Sequence, residues 1–343
     1  MRLSILLLFI FFISCKKEEI SENLGAQKGD ILIVNGGDNS ITLIDTKTLE
    51  KKNQFFLQSK ENTFAHHIYF NHNKTEFSVA LPEFDFSDAH DKLHFVVALG
   101  NVGIFDSNTG QRKQFFGVPF ANYNALFSKK SDEIWTGLMS HSGKVNIYSR
   151  SDNALIKEIS VGPDPTELLI VNNGAHAVVA CGETSFLTVI DTEKKEIIKE
   201  IKIDPYPTNV WKGWSDDVVF VENAVRNSLN VVNISTLSVT DYIDFPFKPG
   251  MMVFNDLTQE LWICAGPSQN KVYIYKKTAG KWNKTSEIAT ENDPHQIAFF
   301  DNDNKAVVIN QKSNTAMIFD VNKKELLKKI ITGSKPNGIA VWD

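Results

Sequence analysis

One pattern of about 42 residues recurs seven times between Asp30 and the C-terminus, and it constrains the fold more than any other feature of the sequence. Each copy contains a short β-rich run, a polar turn, a second run that closes on an Asp-like residue, and a third run. The closing residues are Asp45, Asp106, Ser149, Asp191, Asn233, Lys276 and Asp320. They are 61, 43, 42, 42, 43 and 44 residues apart, and the long interval contains an insertion of about 18 residues. A period this regular indicates a repeat fold.

The copies resemble the YVTN-type β-propeller repeat. That pattern runs from a strand through Asn and a small polar turn to a strand ending in Ile-Asp-Thr, and then to a Val-Gly-x-x-Pro turn. The matching segments are Asn35, Asn223, Asn310, Ile44-Asp45-Thr46, Ile190-Asp191-Thr192 and Val161-Gly162-Pro163-Asp164-Pro165. The alternating apolar runs and turn residues predict four short strands per copy. The resemblance therefore implies an all-β fold, a seven-bladed β-propeller of four-stranded blades over residues 30–343.

The two ends of the repeat region predict how the ring closes. Asp30 opens on what is the second strand of a blade, and no inner strand precedes it in the repeat region. The chain ends on Pro336-Asn337-Gly338-Ile339-Ala340-Val341, which reads as an inner strand. We therefore expect this C-terminal inner strand to complete the first blade, because closure removes the open edges of the outermost sheets.

The N-terminus predicts a lipid anchor. Arg2 precedes an apolar run from Ile5 to Ile13, which is too short to span a bilayer and is typical of a signal peptide. Phe12-Ile13-Ser14-Cys15 resembles the lipobox of bacterial lipoproteins, which implies a signal peptide at 1–14, lipid on Cys15 and a tether at 15–29. A plain signal peptide with an incidental cysteine and a merely short apolar N-terminus are the alternatives.

The expected location is therefore the bacterial cell envelope, on the outside of the cytoplasmic membrane and held there by lipid rather than by a spanning helix. Lys16-Lys17-Glu18-Glu19 is similar to the surface-export signals of some Gram-negative lipoproteins. A spacer facing the periplasm would look much the same, so the sequence leaves the outer surface and the periplasmic face open.

The net charge of -5 argues against nucleic acid as a partner, because the chain has no block of basic residues that could neutralise phosphates. The expected partners are the membrane, through the lipid, and a protein, glycan or small molecule. A closed ring makes a monomer the default state.

Candidate ligand-binding positions lie in the turn that leads into each inner strand, because these turns converge on the mouth of the central channel. The seven residue pairs there are His66-His67, Tyr123-Asn124, Thr166-Glu167, Thr208-Asn209, Gly250-Met251, His295-Gln296 and Asn337-Gly338. Those with hydrogen-bonding side chains that we single out are His66, His67, Tyr123, Asn124, Glu167, Asn209, His295, Gln296 and Asn337. A polar ligand or a metal is a candidate occupant, and a water-filled rim that tolerates polar residues is the alternative.

The insertion in the second repeat, at about residues 81–95, is a second candidate site. If His90 and His94 lie on a helix, their spacing places both imidazoles on one face, as a divalent transition metal would require. Asp88, His72 or the channel histidines would supply further ligands. The predicted metal ligands are thus His66, His90, His94 and His295; an exposed loop whose Phe84 and Phe86 pack on the rim is the alternative.

Catalytic motifs are missing from the sequence. It has no CxxC or CxxCH, no Gly-x-Ser-x-Gly, no His-Glu-x-x-His and no P-loop. Cys181 and Cys264 fall in nonadjacent repeats and are expected to be buried and unpaired. We therefore favour a binding module over an enzyme, although a hydrolase whose carboxylates meet in the channel stays open.

Two functions remain at this stage. The first is a binding or interaction module that uses its channel face. The second is a metal-binding or redox propeller, since the architecture resembles that of quinoprotein dehydrogenase heavy chains and nitrite reductase d1 domains; its cofactor would be a divalent transition metal.

Overall fold

The structure, a computed structural model, describes residues 23–88, 97–223, 225–266 and 269–343. The chain forms seven four-stranded antiparallel sheets arranged as the blades of a β-propeller, which confirms the predicted fold class. In blades 2 to 7 the four strands follow one another in the chain, and the first of them is the inner strand. The signal peptide at 1–14 and Cys15 lie outside the described residues.

The strands are numbered here in chain order, and each blade after the first takes four consecutive numbers. They are β1 (Asp30–Asn35), β2 (Ser40–Asp45), β3 (Lys51–Phe56), β4 (His66–Phe70), β5 (Glu76–Ala80), β6 (Gly100–Asp106), β7 (Arg112–Val118), β8 (Leu126–Phe127), β9 (Glu133–Leu138), β10 (Lys144–Ser149), β11 (Leu155–Ser160), β12 (Pro165–Val171), β13 (His176–Cys181), β14 (Phe186–Asp191), β15 (Glu196–Lys202), β16 (Asn209–Lys212), β17 (Val218–Asn223), β18 (Ser228–Asn233), β19 (Ser238–Asp244), β20 (Pro249–Asn255), β21 (Glu260–Ala265), β22 (Lys271–Thr278), β23 (Lys281–Ala289), β24 (Pro294–Phe300), β25 (Lys305–Asn310), β26 (Thr315–Asp320), β27 (Glu325–Ile331) and β28 (Pro336–Trp342).

Ring closure follows the prediction. The C-terminal strand β28 is the inner strand of blade 1, where it pairs with β1 from Asp30 opposite Trp342 to Asn35 opposite Pro336. The two ends of the repeat region thus share one sheet, and the ring has no unpaired inner edge at this junction.

The Asp-like residue that recurs once in each repeat stabilises a turn. In six blades it is the last residue of the third strand, and in blade 6 β22 runs two residues past Lys276. The Asp45 carboxylate accepts hydrogen bonds from the backbone N–H groups of Lys47 and Thr48, both at 2.8 Å, and Asp191 does the same for the two residues of its own turn. The Ile-Asp-Thr signature is thus a turn that leads into the outer strand.

The core lies between neighbouring blades. The second and third strands of a blade are buried almost throughout, as in β13, whereas the outer strand β15 is exposed at six of its seven residues. One apolar cluster joins Val178 and Val189 of blade 4 to Val219 and Val232 of blade 5. The blades are therefore packing units, and stability depends on each blade having a neighbour on both sides.

Residues 23–29, which we expected to belong to a flexible tether, pack against blades 1 and 2. Leu24 and Ala26 are fully buried, and their N–H groups donate to the carbonyls of Thr109 and Asn108, each at 3.0 Å. Residues 23–29 therefore belong to the folded domain and not to a flexible tether, because Leu24 supplies apolar contact that the polar composition around it obscured.

The two faces of the ring differ in the loops they carry. The channel-mouth face carries the turns that lead into the inner strands and the loops between second and third strands. The opposite face carries the remaining loops, including the turn at Asn108 and Thr109 where residues 23–29 dock. Within the described ranges, no helix has the length and apolar character needed to cross a membrane.

The insertion begins on the channel-mouth face. It is described as far as a short 3-10 helix at Phe86–Asp88, and Phe86 is buried against Ala121, Tyr123 and Met139 with Phe84 packed beside it. The packing of both phenylalanines on the rim agrees with the alternative stated above. His90 and His94 lie outside the described residues, so their part in a metal site stays a prediction.

The two cysteines of the propeller are buried and unpaired, as expected. Burial raises the pKa of the Cys181 thiol to about 12 and that of Cys264 well above its ordinary value. Both thiols therefore stay protonated at neutral pH and do not serve as nucleophiles.

Candidate binding cavity at the channel mouth

A cavity of 360 Å³ opens at the channel mouth. Its walls combine aromatic, amide, hydroxyl, imidazole and charged side chains. The side chains of these kinds in its lining include His66, His67, Tyr123, Tyr206, Asn209, Trp211, Glu222, Lys248, Asp293, His295, Gln296, Gln311 and Lys312. Most of the wall belongs to blades 5, 6 and 7, and blades 2, 3 and 4 supply the remainder.

The strand register explains why these side chains converge. At the start of inner strands β4, β12, β20 and β24 the pairing with the second strand slips, for example between Pro165 and Glu167. A bulge of this kind re-aims the side chains beside it. The seven residue pairs chosen from sequence occupy this equivalent place in their blades, so the repeat alignment placed them correctly.

Blades 2, 3 and 4 meet at Glu167, and we call the group His67, Tyr69, Asn124 and Glu167 the closed sector. The Glu167 carboxylate accepts hydrogen bonds from Asn124 Nδ2 at 3.1 Å, from Tyr69 Oη at 3.4 Å and from the Leu168 N–H at 3.2 Å. His67 Nδ1 lies 3.3 Å from the other carboxylate oxygen and 3.1 Å from Tyr69 Oη. Glu167 is buried and joins the inner strands of blades 2 and 4 to the turn that precedes the inner strand of blade 3.

His66 and Tyr123 cover this sector from the mouth. Their rings stack with centroids 4.2 Å apart and planes inclined at 14°, and His66 Nδ1 lies 3.3 Å from the Tyr123 carbonyl oxygen. Phe86 of the insertion contacts Tyr123 edge-on, at a centroid distance of 4.9 Å. Burial, with a smaller contribution from the Glu167 charge, raises the pKa of the Tyr123 and Tyr69 hydroxyls well above their ordinary value.

Blades 5, 6 and 7 form what we call the open sector, and Glu222 is the more deeply buried of its two acids. Glu222 Oε2 accepts hydrogen bonds from Trp211 Nε1 at 2.7 Å and from Asn209 Nδ2 at 3.4 Å. Burial raises the pKa of Glu222 to about 7, and Lys248 and the two hydrogen bonds oppose part of that rise. A carboxyl poised near neutral pH beside a cavity can accept or release a proton there.

The rest of the open sector is polar and balanced in charge. Its other charged side chains are Asp293, which is buried, and Lys248 and Lys312, which are exposed at the rim. His295 and Gln296 are half-buried, and Gln296 Oε1 accepts the N–H of Ile339 across the boundary with blade 1.

The predicted site residues divide into two groups. His66, His67, Tyr123, Asn209, His295 and Gln296 line the cavity. The remaining three, Asn124, Glu167 and Asn337, are buried beside it and do not line it. Asn337 Oδ1 accepts a hydrogen bond from Gln311 Nε2 at 3.2 Å, so it supports a wall residue.

Sequence reasoning missed Trp211, Glu222, Lys248, Asp293, Gln311 and Lys312. A signal for Glu222 was present, since every other repeat has an apolar or small residue at its position. The equivalent residues are Val34, Ala80, Gly137, Ala180, Cys264 and Ile309. A charged residue at the end of a buried strand, in one repeat alone, is the pattern expected of a functional substitution.

Potential metal ligands meet elsewhere on this face. In the described part of the chain, His141, Asp164 and Glu183 form the cluster in which donor atoms all lie within 4.8 Å of one another. Neither His66 nor His295 belongs to it.

Comparisons with known proteins identify the architecture. No family model and no curated protein matches the sequence. Among solved structures, a putative 6-phosphogluconolactonase from Bacteroides fragilis superposes with a TM-score of 0.72 and 14% identity over 93% of this chain and 99% of that chain. The periplasmic gluconolactonase of Pseudomonas aeruginosa gives a TM-score of 0.72 and 12% identity over 91% of this chain and 99% of that one.

A functionally unknown protein from Desulfotomaculum acetoxidans gives a TM-score of 0.70 and 14% identity over 91% of this chain and 98% of that chain. At these identities the likeness establishes the fold alone. The chain is a seven-bladed β-propeller that holds a polar cavity at one end of its channel.

Proposed function

We propose that this chain is a lipid-anchored protein of the bacterial cell envelope, with repeats of the YVTN type, that binds a small neutral, hydroxyl-rich ligand in the channel-mouth cavity. The observation that carries the proposal is the open sector, where Trp211, Asn209 and Glu222 form one hydrogen-bonded unit on the cavity wall. A sugar or a sugar lactone is the class of ligand that this wall fits.

The chemistry of the wall supports a neutral ligand. Glu222 and Asp293 are offset by Lys248 and Lys312, so the wall has no strong excess of either sign. Amide and imidazole side chains can both donate and accept hydrogen bonds, as a set of hydroxyl groups requires. Trp211 and the half-exposed Tyr206 add aromatic surface for the apolar side of such a ligand.

The N-terminal segment supports an orientation. Leu24 and Ala26 dock at Thr109 and Asn108 on the face opposite the cavity. Eight peptide steps separate Asn23 from Cys15, which is at most about 28 Å of extended chain. A lipid on Cys15 would therefore hold the opposite face toward the membrane and leave the cavity facing away from it.

Ligand binding is tested by isothermal titration calorimetry on the full chain in detergent, with glucose, glucosamine, gluconate and a sugar lactone. We expect saturable binding of a neutral member, with Kd below about 1 mM. Glu222→Gln and Trp211→Leu should each weaken it at least about tenfold, and Glu193→Gln, on an exposed turn of the opposite face, should leave it unchanged. Binding that survives both cavity variants would place the ligand elsewhere.

Lactone hydrolysis is a second candidate function, and the pKa of Glu222 near 7 favours it. The Glu222 carboxylate would take a proton from water as the water oxygen attacks the lactone carbonyl carbon. The ring C–O bond would then break, and its oxygen would leave with a proton to give a hydroxy acid. Two structural neighbours, a periplasmic gluconolactonase and a putative 6-phosphogluconolactonase, are named for substrates of this class.

This second candidate is tested by following acid release from a sugar lactone above the spontaneous rate. The rate should rise between pH 6 and 8 as Glu222 ionises, and Glu222→Gln should abolish the enzymatic part while Glu193→Gln retains it. If wild type and Glu222→Gln release acid at equal rates, lactone hydrolysis by Glu222 is ruled out and ligand binding is the only function that remains proposed.

The anchor is tested by metabolic labelling with an alkyne palmitate. Cys15→Ser should lose the label and move from the membrane to the soluble fraction, whereas Cys181→Ser should keep it, because Cys181 is buried in blade 4. The orientation on the membrane is tested with a fluorophore attached to an introduced cysteine. A fluorophore on Lys47→Cys, on the face opposite the cavity, should be quenched by headgroup-labelled lipid more strongly than one on Lys312→Cys at the mouth.

A further inference from the structure

Three loops of the channel-mouth face bring an imidazole and two carboxylates together. His141 lies between β9 and β10, Asp164 lies directly before β12, and Glu183 lies between β13 and β14. His141 Nδ1 is 3.4 Å from Glu183 Oε2 and 3.7 Å from Asp164 Oδ2. Asp164 is buried, whereas Glu183 and His141 are exposed to solvent.

We propose that His141, Asp164 and Glu183 bind a divalent transition metal ion such as Zn²⁺. In a tetrahedral site with metal–ligand bonds of about 2.1 Å, neighbouring ligand atoms are about 3.4 Å apart. The two distances from His141 Nδ1 are close to that value, and donor atoms of all three side chains lie within 4.8 Å of one another. One imidazole nitrogen with two carboxylate oxygens suits zinc better than calcium or magnesium.

Backbone hydrogen bonds hold the three loops in fixed relation. The Asp164 N–H donates to the Ser140 carbonyl at 2.9 Å, and the Gly182 N–H donates to the Asp164 carbonyl at 2.8 Å. Gly143 approaches Gly162 so closely that a Cβ at Gly143 would lie 1.9 Å from the Gly162 carbonyl oxygen. The scaffold is thus rigid before any ion binds, which reduces the entropy cost of assembling the ligands.

The repeat offers an internal comparison. In blade 7 the positions equivalent to Asp164 and Glu183 are Asp293 and Lys312, a pair of opposite charge. Blade 4 has two acids at these places, and His141 of blade 3 faces both. A divalent cation would neutralise the two carboxylates, and the imidazole can supply the nitrogen ligand in its neutral form.

The site is distinct from the ligand-binding unit proposed above, although it adjoins it. Gly182 and Thr166, which line the cavity, are each within two residues of a proposed ligand. Three protein ligands leave at least one coordination position for water or a bound molecule. Zinc binding does not require the cavity ligand, so each proposal can fail without the other.

The test is zinc titration of the full chain in detergent after treatment with a chelator, read by a competing zinc indicator and by metal analysis. We expect one zinc per chain. His141→Ala should weaken binding at least about 100-fold, and so should Glu183→Lys, which installs the acid-base pair of blade 7. Circular dichroism should show that both variants remain folded.

His72→Ala, His295→Ala and Glu222→Gln serve as controls and should leave the zinc affinity within about twofold. If the chain takes up no zinc at one equivalent, the inference fails. It also fails if zinc affinity survives His141→Ala, or if His295→Ala removes zinc instead, since the metal would then belong to the channel histidines.

Discussion

The closed and open sectors of the channel mouth each contain a buried glutamate, but the two acids lie at different strand positions and have different surroundings. Glu167 lies near the start of an inner strand, and one of its carboxylate oxygens accepts hydrogen bonds from donors in three blades. Glu222 is the penultimate residue of a second strand, and its carboxylate receives the Trp211 indole N–H and the longer bond from Asn209. Both acids are buried, but only the Glu222 side chain lines the cavity, and burial raises the pKa of Glu222 to about 7.

This difference shows how a symmetric scaffold acquires one site. Each blade contributes an equivalent turn, and what distinguishes the turns is whether their side chains contact one another or line a cavity. In the closed sector Glu167 accepts hydrogen bonds from groups of three blades, and these bonds help to hold the blades together. In the open sector a cavity separates the walls, and Glu222 and Asn209 line it.

Removing the acid of the closed sector should have the largest effect. Glu167→Ala leaves Asn124 Nδ2, Tyr69 Oη and His67 without their shared partner, all in the interior. We expect the free energy of unfolding to fall by about 3 kcal/mol, measured by urea denaturation.

The matched control is Glu167→Gln, which keeps an oxygen to accept the Asn124 and Leu168 hydrogen bonds and should cost about 1 kcal/mol. If Glu167→Ala is as stable as wild type, the closed sector is not held by this carboxylate, and the contrast between the sectors disappears.

Replacing the acid of the open sector should instead stabilise the protein, and only at higher pH. The pKa of Glu222 is raised from 4.5 to about 7, so its protonated form contributes stability below about pH 4.5 that is lost as pH rises through 7. Glu222→Gln mimics the protonated form. It should match wild type near pH 4.5 and exceed it at pH 8 by on the order of 3 kcal/mol.

Thermal melting at both pH values checks this, with Glu193→Gln as the exposed control. If the difference in melting temperature between wild type and Glu222→Gln is the same at pH 4.5 and at pH 8, Glu222 ionises like an ordinary surface acid.

The smallest effect is expected where the insertion meets blade 1. Asp85 pairs with Lys335, and both side chains are about one third exposed. Burial acts to raise the pKa of Asp85, but the hydrogen bonds from Lys335 and Ser87 have a larger opposite effect. The pKa of Asp85 is therefore lower than its ordinary value. Asp85→Asn should cost less than about 1 kcal/mol at pH 7, and the cost should vanish as pH falls below 3.8. A larger loss would indicate that this pair holds the insertion on the mouth.

Much of the fold was readable because repetition made local signals redundant. Asp45 and Asp191 mark the same turn in two copies, so a weak motif gains weight from its recurrence. Single departures were harder to read: Leu24 is one apolar residue in a polar segment, and its burial was missed. Glu222 was visible as an exception among seven aligned positions, although nothing local to blade 5 shows that a cavity lies beside it.

The amino-acid sequence by itself determined the seven blades, their strand order, the closing C-terminal strand and the ring of residues at the channel mouth. Only the tertiary structure decided which of those residues face a cavity, which are buried partners, and that His141 meets Asp164 and Glu183. The physical reason is distance along the chain. Strand and turn preferences act over a few residues, whereas the hydrogen bond from Tyr69 to Glu167 joins groups 98 residues apart. Such contacts depend on how the whole ring brings its inner strands together.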